Sequence, residues 1–132
     1  MINDLDLYSE TILDHYQYPR HRGSLPHPTL RASESNPLCG DSLTLEVTLD
    51  EKSRLTDIAF SGAGCAISQA GMSLLSETLV GKTVRELDVL APEDVFRLLG
   101  VPISPARQSC ALLGFSTLKK MIVDYADTSH SF

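Results

Sequence analysis

Cys39, Asp41, Cys65 and Cys110 are the residues of this chain whose types and spacing suit chemistry. The cysteines stand in three different settings, NPLCGD, SGAGCAIS and ARQSCALL, and Asp41 follows the first by two positions. Three soft thiolates and one hard carboxylate can complete a four-ligand shell. Such a shell fits Zn²⁺ or an iron–sulfur unit and fits Mg²⁺ or Ca²⁺ poorly. Around Zn²⁺ or a [2Fe–2S]²⁺ core, the four anions leave two net negative charges, and Arg107, three residues before Cys110, could offset them. An odd number of thiols argues against a disulfide framework. Each cysteine taken alone also suits a small buried apolar residue, and Asp41 suits a turn former ahead of a strand. The buried reading weakens because the cysteines fall at glycine-flanked turns or helix starts, and on spacing alone both readings stay open.

The elements that must position these residues are legible from periodicity. Leu5, Tyr8, Ile12 and Tyr16 step at helical spacing until Pro19 stops them. The stretch from Pro19 to Pro28 reads as a solvated loop, with Arg20, His21 and Arg22 a minor basic surface at most. Leu43, Leu45, Val47 and Leu49 alternate with Thr44, Glu46 and Thr48, which predicts a strand with one wet face. Residues 54–61 pair back through a turn at 50–53, and a further strand precedes Asn36. Beyond Gly62 and Gly64 the period changes: Ile67, Ala70, Leu74 and Thr78 predict a helix over about 65–80, stopped by Gly81. Thr83 and Glu86 form a capping box, and Pro92 with Glu93 and Asp94 opens another helix closed by Gly100. Ser104-Pro105 begins one long final helix carrying Ala111, Phe115, Leu118, Ile122 and Tyr125.

This layout predicts an α+β domain: a small antiparallel three-stranded sheet with helices packed against it. Cys65 and Cys110 are expected near helix N-termini, where free N–H groups and the helix dipole favour thiolate. Gly62 and Gly64 would let the backbone approach a metal closely. They do not form a phosphate loop, since no GK[ST] follows. His15, at the end of the first helix, and His21, His27 and His130 are read as non-ligands.

At 132 residues the chain is expected to be a single domain, 1–132, with 127–132 a frayed tail. That length builds a core without a metal staple, so a metal need not be there for folding. The net charge of −6 disfavours a general role on nucleic acid or anionic lipid. No run approaches the length of a membrane span. The acidic start MINDLDLYSE lacks the features of a signal peptide, so a cytoplasmic location with reduced thiols is expected.

Four ordered motifs resemble those of the U-type iron–sulfur cluster assembly scaffold family, comprising IscU, SufU and the N-terminal domain of NifU. DHYQYPRHRG resembles its opening helix-to-loop segment, while NPLCGD, GAGCAIS and ARQSCALL resemble its three ligand loops. The resemblance implies a metal site at one exposed end of the domain, with Cys39, Asp41, Cys65 and Cys110 as ligands and Arg107 as the basic residue before the third cysteine. It also implies assembly of a labile [2Fe–2S] cluster from iron and from sulfur supplied by a cysteine desulfurase. An iron donor and apo-protein acceptors complete the set of partners. Cys110 or Cys39 would accept the sulfur, with Arg107 stabilising the anion. The alternative implied by the same motifs is a zinc-dependent sulfur acceptor, with Zn²⁺ in the resting form. In either case the chain is a scaffold or sulfur carrier, with sulfurtransferase activity belonging to the second reading.

Ser109 stands where IscU-like members carry His, and VPISPAR stands where they carry the segment read by a dedicated Hsp70-type chaperone. Both departures are SufU-like and speak against dependence on that chaperone. The gap of 45 positions from Cys65 to Cys110 is closer to the shorter IscU-like length.

Overall fold

The structure, a computed structural model, describes residues 9–36 and 40–129. Cys39, His130, and Leu5 and Tyr8 of the expected opening helix lie outside the described residues. Ser9 caps α1 (Glu10–Gln17) by accepting the Ile12 N–H, and the helix ends at Tyr18, ahead of Pro19.

Three strands follow: β1 (Leu30–Asn36), β2 (Asp41–Leu49) and β3 (Leu55–Ala63), antiparallel in the order β1-β2-β3. The alternation in β2 sends Leu43, Leu45 and Val47 into the core, with Leu45 opposite Phe60 and Val47 opposite Ile58. The other face is not uniformly wet. Glu46 is buried there because the loop after α1 crosses it: Glu46 Oε1 accepts the Leu25 N–H at 3.1 Å, and Oε2 lies 3.7 Å from Arg31. Asn36 pairs with Asp41, and Ser42 with Ala63, so one end of the sheet collects the end of β1, the start of β2 and the end of β3.

After β3 come α2 (Ala66–Leu79), α3 (Val84–Asp88), α4 (Pro92–Leu99), α5 (Pro105–Ala111) and α6 (Leu113–Ser129). The capping box at Thr83 and Glu86, and the left-handed cap at Gly100, lie where the sequence predicts them. α2 is buried around most of its circumference, with α1, α4, α5 and α6 packed against it, while α6 also lies across β1 and β2. The expected single helix from Pro105 is two helices with a turn at Leu112. The bend lets α5 rest on α2 at Gly71, where the Ala111 carbonyl comes to 3.1 Å from the position a Cβ would take. It also lets α6 settle on Met72 at Gly114. Among the described residues no helix is long and apolar enough to cross a membrane.

The loop after α1 is exposed over most of its length, as expected, yet it is also tied to α2. His15 is buried, with Nδ1 2.7 Å from Ser73 Oγ and Nε2 3.5 Å from Glu77. The Arg20 N–H donates to the same Ser73 Oγ at 2.8 Å, and His21 Nδ1 lies 3.0 Å from Ser76 Oγ. Serines on a buried helix need polar partners, and this loop supplies them. The apolar spacing along α2 carried no sign of which segment would cover its polar face.

Candidate metal centre

Asp41 is the first residue of β2 and is 2 % exposed. Cys65 is the N-cap of α2, in extended conformation and half-buried. Cys110 is the sixth of the seven residues of α5 and is also 2 % exposed. Ligand atoms of these three side chains all lie within 4.8 Å of one another. The sheet end that gathers them carries Gly40 and Ala63 exposed at its rim, with Ser109 exposed beside Cys110. Cys39, the fourth ligand implied by the resemblance, lies outside the described residues.

The carboxylate of Asp41 joins strand to helix. Its Oδ1 accepts the Cys65 N–H at 3.0 Å, and its Oδ2 lies 3.7 Å from Cys65 Sγ. Cys65 has no capping side-chain bond of its own, so a carboxylate from β2 serves the start of α2. The approach depends on Gly64. A Cβ there would come within 2.7 Å of Asp41 Oδ1 and 2.6 Å of Ser68 Oγ. Gly62 makes the turn into this segment at φ +134°, and a Cβ there would sit 2.2 Å from the Ser42 carbonyl oxygen. The two glycines thus bring the backbone against Ser42 and Asp41 themselves.

Cys65 stands at a helix start as expected, but Cys110 does not. It sits near the C-terminal end of α5, so the helix-dipole argument for its thiolate does not apply. Cys110 is also disulfide-bonded in this structure, contrary to the expectation drawn from the odd thiol count. Reduction must precede any metal binding by that sulfur. Arg107 is exposed, one helical turn before Cys110, and its guanidinium makes no hydrogen bond or ion pair among the described residues.

Sequence reasoning placed Arg22 in a minor basic surface and gave it no part in the site. Its guanidinium donates to the Gln69 Oε1 at 2.5 Å and to the Gly62 carbonyl at 2.6 Å, and it lies 6.0 Å from the centroid of the Phe60 ring. Forty positions separate it from Gly62, and no local spacing links the two.

Two thiols and a carboxylate at this separation fit a thiophilic metal once reduced. Soft sulfur donors select zinc or iron–sulfur units, whereas hard cations need more oxygen ligands than this group offers. The site's members come from the start of a strand, a helix N-cap and the end of a short helix, so only the folded chain assembles it.

Residues 7–131 match the family described as the NifU-like N-terminal domain. The chain is 33% identical over 143 residues to the iron–sulfur cluster assembly scaffold protein IscU of Streptococcus pyogenes serotype M1, covering 94% of this chain and 87% of that protein. It is 31% identical over 121 residues to the IscU scaffold protein of Haemophilus influenzae, covering 89% and 94% respectively. Among solved structures it is similar to SufU of Fervidobacterium islandicum AW-1, described as a candidate assembly scaffold for the SUF system. That likeness has a TM-score of 0.79 and 27% identity, over 91% of this chain and 99% of the other. With the motifs, the three-stranded sheet and the match over residues 7–131 in agreement, this chain belongs to the NifU-like N-terminal domain family.

Proposed function

We propose that this protein is an iron–sulfur cluster assembly scaffold that builds a labile [2Fe–2S] cluster on Cys39, Asp41, Cys65 and Cys110 and passes it to apo-proteins. The observation that carries this reading is the convergence of the Asp41, Cys65 and Cys110 donor atoms within 4.8 Å. Relatives named as IscU scaffolds, matched along nearly their whole length, support it.

The chemistry follows from the donors. Sulfur arrives as the terminal atom of a cysteine desulfurase persulfide. A thiolate of this chain, Cys110 or Cys39, attacks that atom. The desulfurase S–S bond breaks, its cysteine leaves as thiolate, and a new persulfide forms on the scaffold. Turning two such sulfurs into two sulfides takes four electrons. Two come from oxidation of two Fe²⁺, supplied by an iron donor, to Fe³⁺, and two from an external thiol or electron-transfer protein, which leaves a [2Fe–2S]²⁺ core between the thiolates. Asp41, a hard oxygen ligand among soft ones, is the exchange-prone position through which the product leaves. Arg107, exposed and without a partner among the described residues, is free to stabilise the incoming anionic sulfur.

Ser109 favours a second reading. It gives the site no nitrogen donor beside Cys110, unlike IscU-like members, and leaves room for a zinc-dependent sulfur acceptor that relays persulfide sulfur. Anaerobic incubation of the reduced chain with desulfurase, cysteine, Fe²⁺ and reductant separates the two. A scaffold develops the visible absorption of a [2Fe–2S] centre. A zinc carrier raises desulfurase turnover, retains Zn²⁺ and forms no chromophore. If neither occurs, both readings fail.

A further inference from the structure

Cys65 is reached through Gly62, Ala63 and Gly64, a segment whose outer side borders an open cavity of about 220 Å³ lined by Tyr16, Arg22 and Gln69. A cavity there means that little side-chain packing backs the segment from outside. What holds it on that side is Arg22. One arm of the guanidinium bonds the Gly62 carbonyl and another bonds Gln69 on the first turn of α2. The arginine thus ties the last residues of β3 to the helix that begins at Cys65.

Arg22 is itself held by backbone. The Phe60 N–H donates to the His21 carbonyl at 3.0 Å, and the Gly23 N–H donates to the Phe60 carbonyl at 2.8 Å. The Gln69 amide has no second anchor: its Nε2 is buried and without a partner. Arg22 therefore fixes Gln69 as well as Gly62. On the far side of the same segment, Asp41 holds the Cys65 N–H.

We infer that Arg22 is a positioning residue of the metal centre, setting the geometry in which Cys65 and Asp41 present their ligand atoms. The inference rests on the metal reading of the site given above. A planar fork can hold a carbonyl and an amide at once, which a lysine ammonium on a flexible stem does less well. Residues that orient ligands from outside the coordination sphere commonly change metal affinity by about 10–100-fold when removed.

The test uses the full-length chain, reduced and anaerobic, titrated with Co²⁺ against a chromophoric chelator, with melting of the metal-free protein followed in parallel. Arg22→Ala is expected to weaken Co²⁺ binding by about tenfold and to shift the thiolate-to-Co²⁺ charge-transfer band. Arg22→Lys is expected to recover only part of that loss. Should Arg22→Ala fail to fold, Gln69→Leu, which removes one of the two anchors, is expected to change affinity and band in the same direction. Unchanged affinity and band overturn the inference. So does a lowered melting temperature with an unchanged band, which marks a purely structural role. Full recovery by Arg22→Lys also overturns it, since charge alone would then suffice. A wild-type chain that develops no thiolate-to-Co²⁺ band removes the metal reading itself and the inference with it. That result is distinct from a wild-type chain that binds while its Arg22 variants are indifferent.

Discussion

Asp41 holds Cys65 twice, through an Oδ1 that accepts the Cys65 N–H at 3.0 Å and an Oδ2 that lies 3.7 Å from the Cys65 sulfur. One buried carboxylate is thus both the cap of a helix and a candidate ligand beside its neighbour's thiol. The position of Asp41 ahead of the apolar face of β2 suggests that its loss would leave the fold untouched, and the cap changes that expectation. Asp41→Ala should lower stability by about 1 kcal/mol, the usual cost of losing a helix cap. Asp41→Asn, which keeps an acceptor oxygen, should recover most of it. Both variants should slow cluster transfer to an apo-acceptor, because the exchange-prone anionic ligand is gone. Denaturant melts and transfer rates on the pair check the two roles separately, and wild-type transfer in both variants would remove Asp41 as the gate.

The two glycines before Cys65 should differ in how they fail. In Gly62→Ala the new Cβ meets a backbone carbonyl at 2.2 Å in a conformation that L-residues avoid. A stability loss of at least about 2 kcal/mol is expected. In Gly64→Ala the Cβ meets the ends of the Asp41 and Ser68 side chains, which can shift. That variant should melt closer to wild type but bind Zn²⁺ or Co²⁺ more weakly, since the shift displaces the Asp41 carboxylate. Equal melting temperatures for the two variants would contradict this division.

Stability should depend on His15 near neutral pH. Burial, and then the nearby Arg20 guanidinium, hold its imidazole below the ordinary 6.5, outweighing Glu77 and Asp14, which act in the other direction. As pH falls, the unfolded chain takes up the proton first. Folding therefore loses stability from about pH 6.5 downward, until the folded imidazole is protonated as well. Asp50 and Glu86 are held below their ordinary 3.8 and 4.5, chiefly by the backbone N–H groups of Arg54 and Thr83, and their contributions fade only at lower pH. Melting curves of wild type and His15→Gln should diverge across this neutral-to-acid window, with the wild type the more pH-sensitive. Parallel curves would show that His15 does not carry the dependence.

Arg107→Ala should impair sulfur acceptance more than metal affinity, because a guanidinium can stabilise an anion but cannot ligate a metal. The measurement is persulfide formed on the scaffold per desulfurase turnover, set against Zn²⁺ affinity. Loss of metal with full sulfur acceptance would reverse the assignment.

Much of the fold was legible because its signals are local. The alternation of Leu43, Leu45 and Val47 needs only a strand with one apolar face. The caps at Thr83, Pro92 and Gly100 need only their own first or last turns. Asp41 and Cys65 were legible as chemistry from residue type and neighbouring glycines, and Cys110 from its type and an expected helix start that the fold does not give it, all without any distance between them. What stayed hidden is set by partners far along the chain. Periodicity continues across Leu112 because the residues on both sides face the same core, so the bend that seats α5 on Gly71 leaves no mark in the pattern. Arg22 and His21 are exposed as read, but their side-chain partners Gly62, Gln69 and Ser76 lie forty or more positions away, where no local pattern reaches. Glu46 read as wet because alternation cannot reveal a loop laid over the second face of a sheet.

The three described donors belong to segments remote in sequence, the start of β2, the start of α2 and the end of α5. An ion shared among them would act as a tether between parts of the chain that are remote in sequence. By linkage, metal at a thousand times its dissociation constant adds about 4 kcal/mol to folding, and that gain falls on the contacts joining these three segments. The reverse also follows. Any motion that lifts α5 from Gly71 weakens retention of whatever the thiols hold, without disturbing the pairing of β2 with β3. A partner protein could therefore unload this chain by levering one short helix, leaving the sheet intact for the next round.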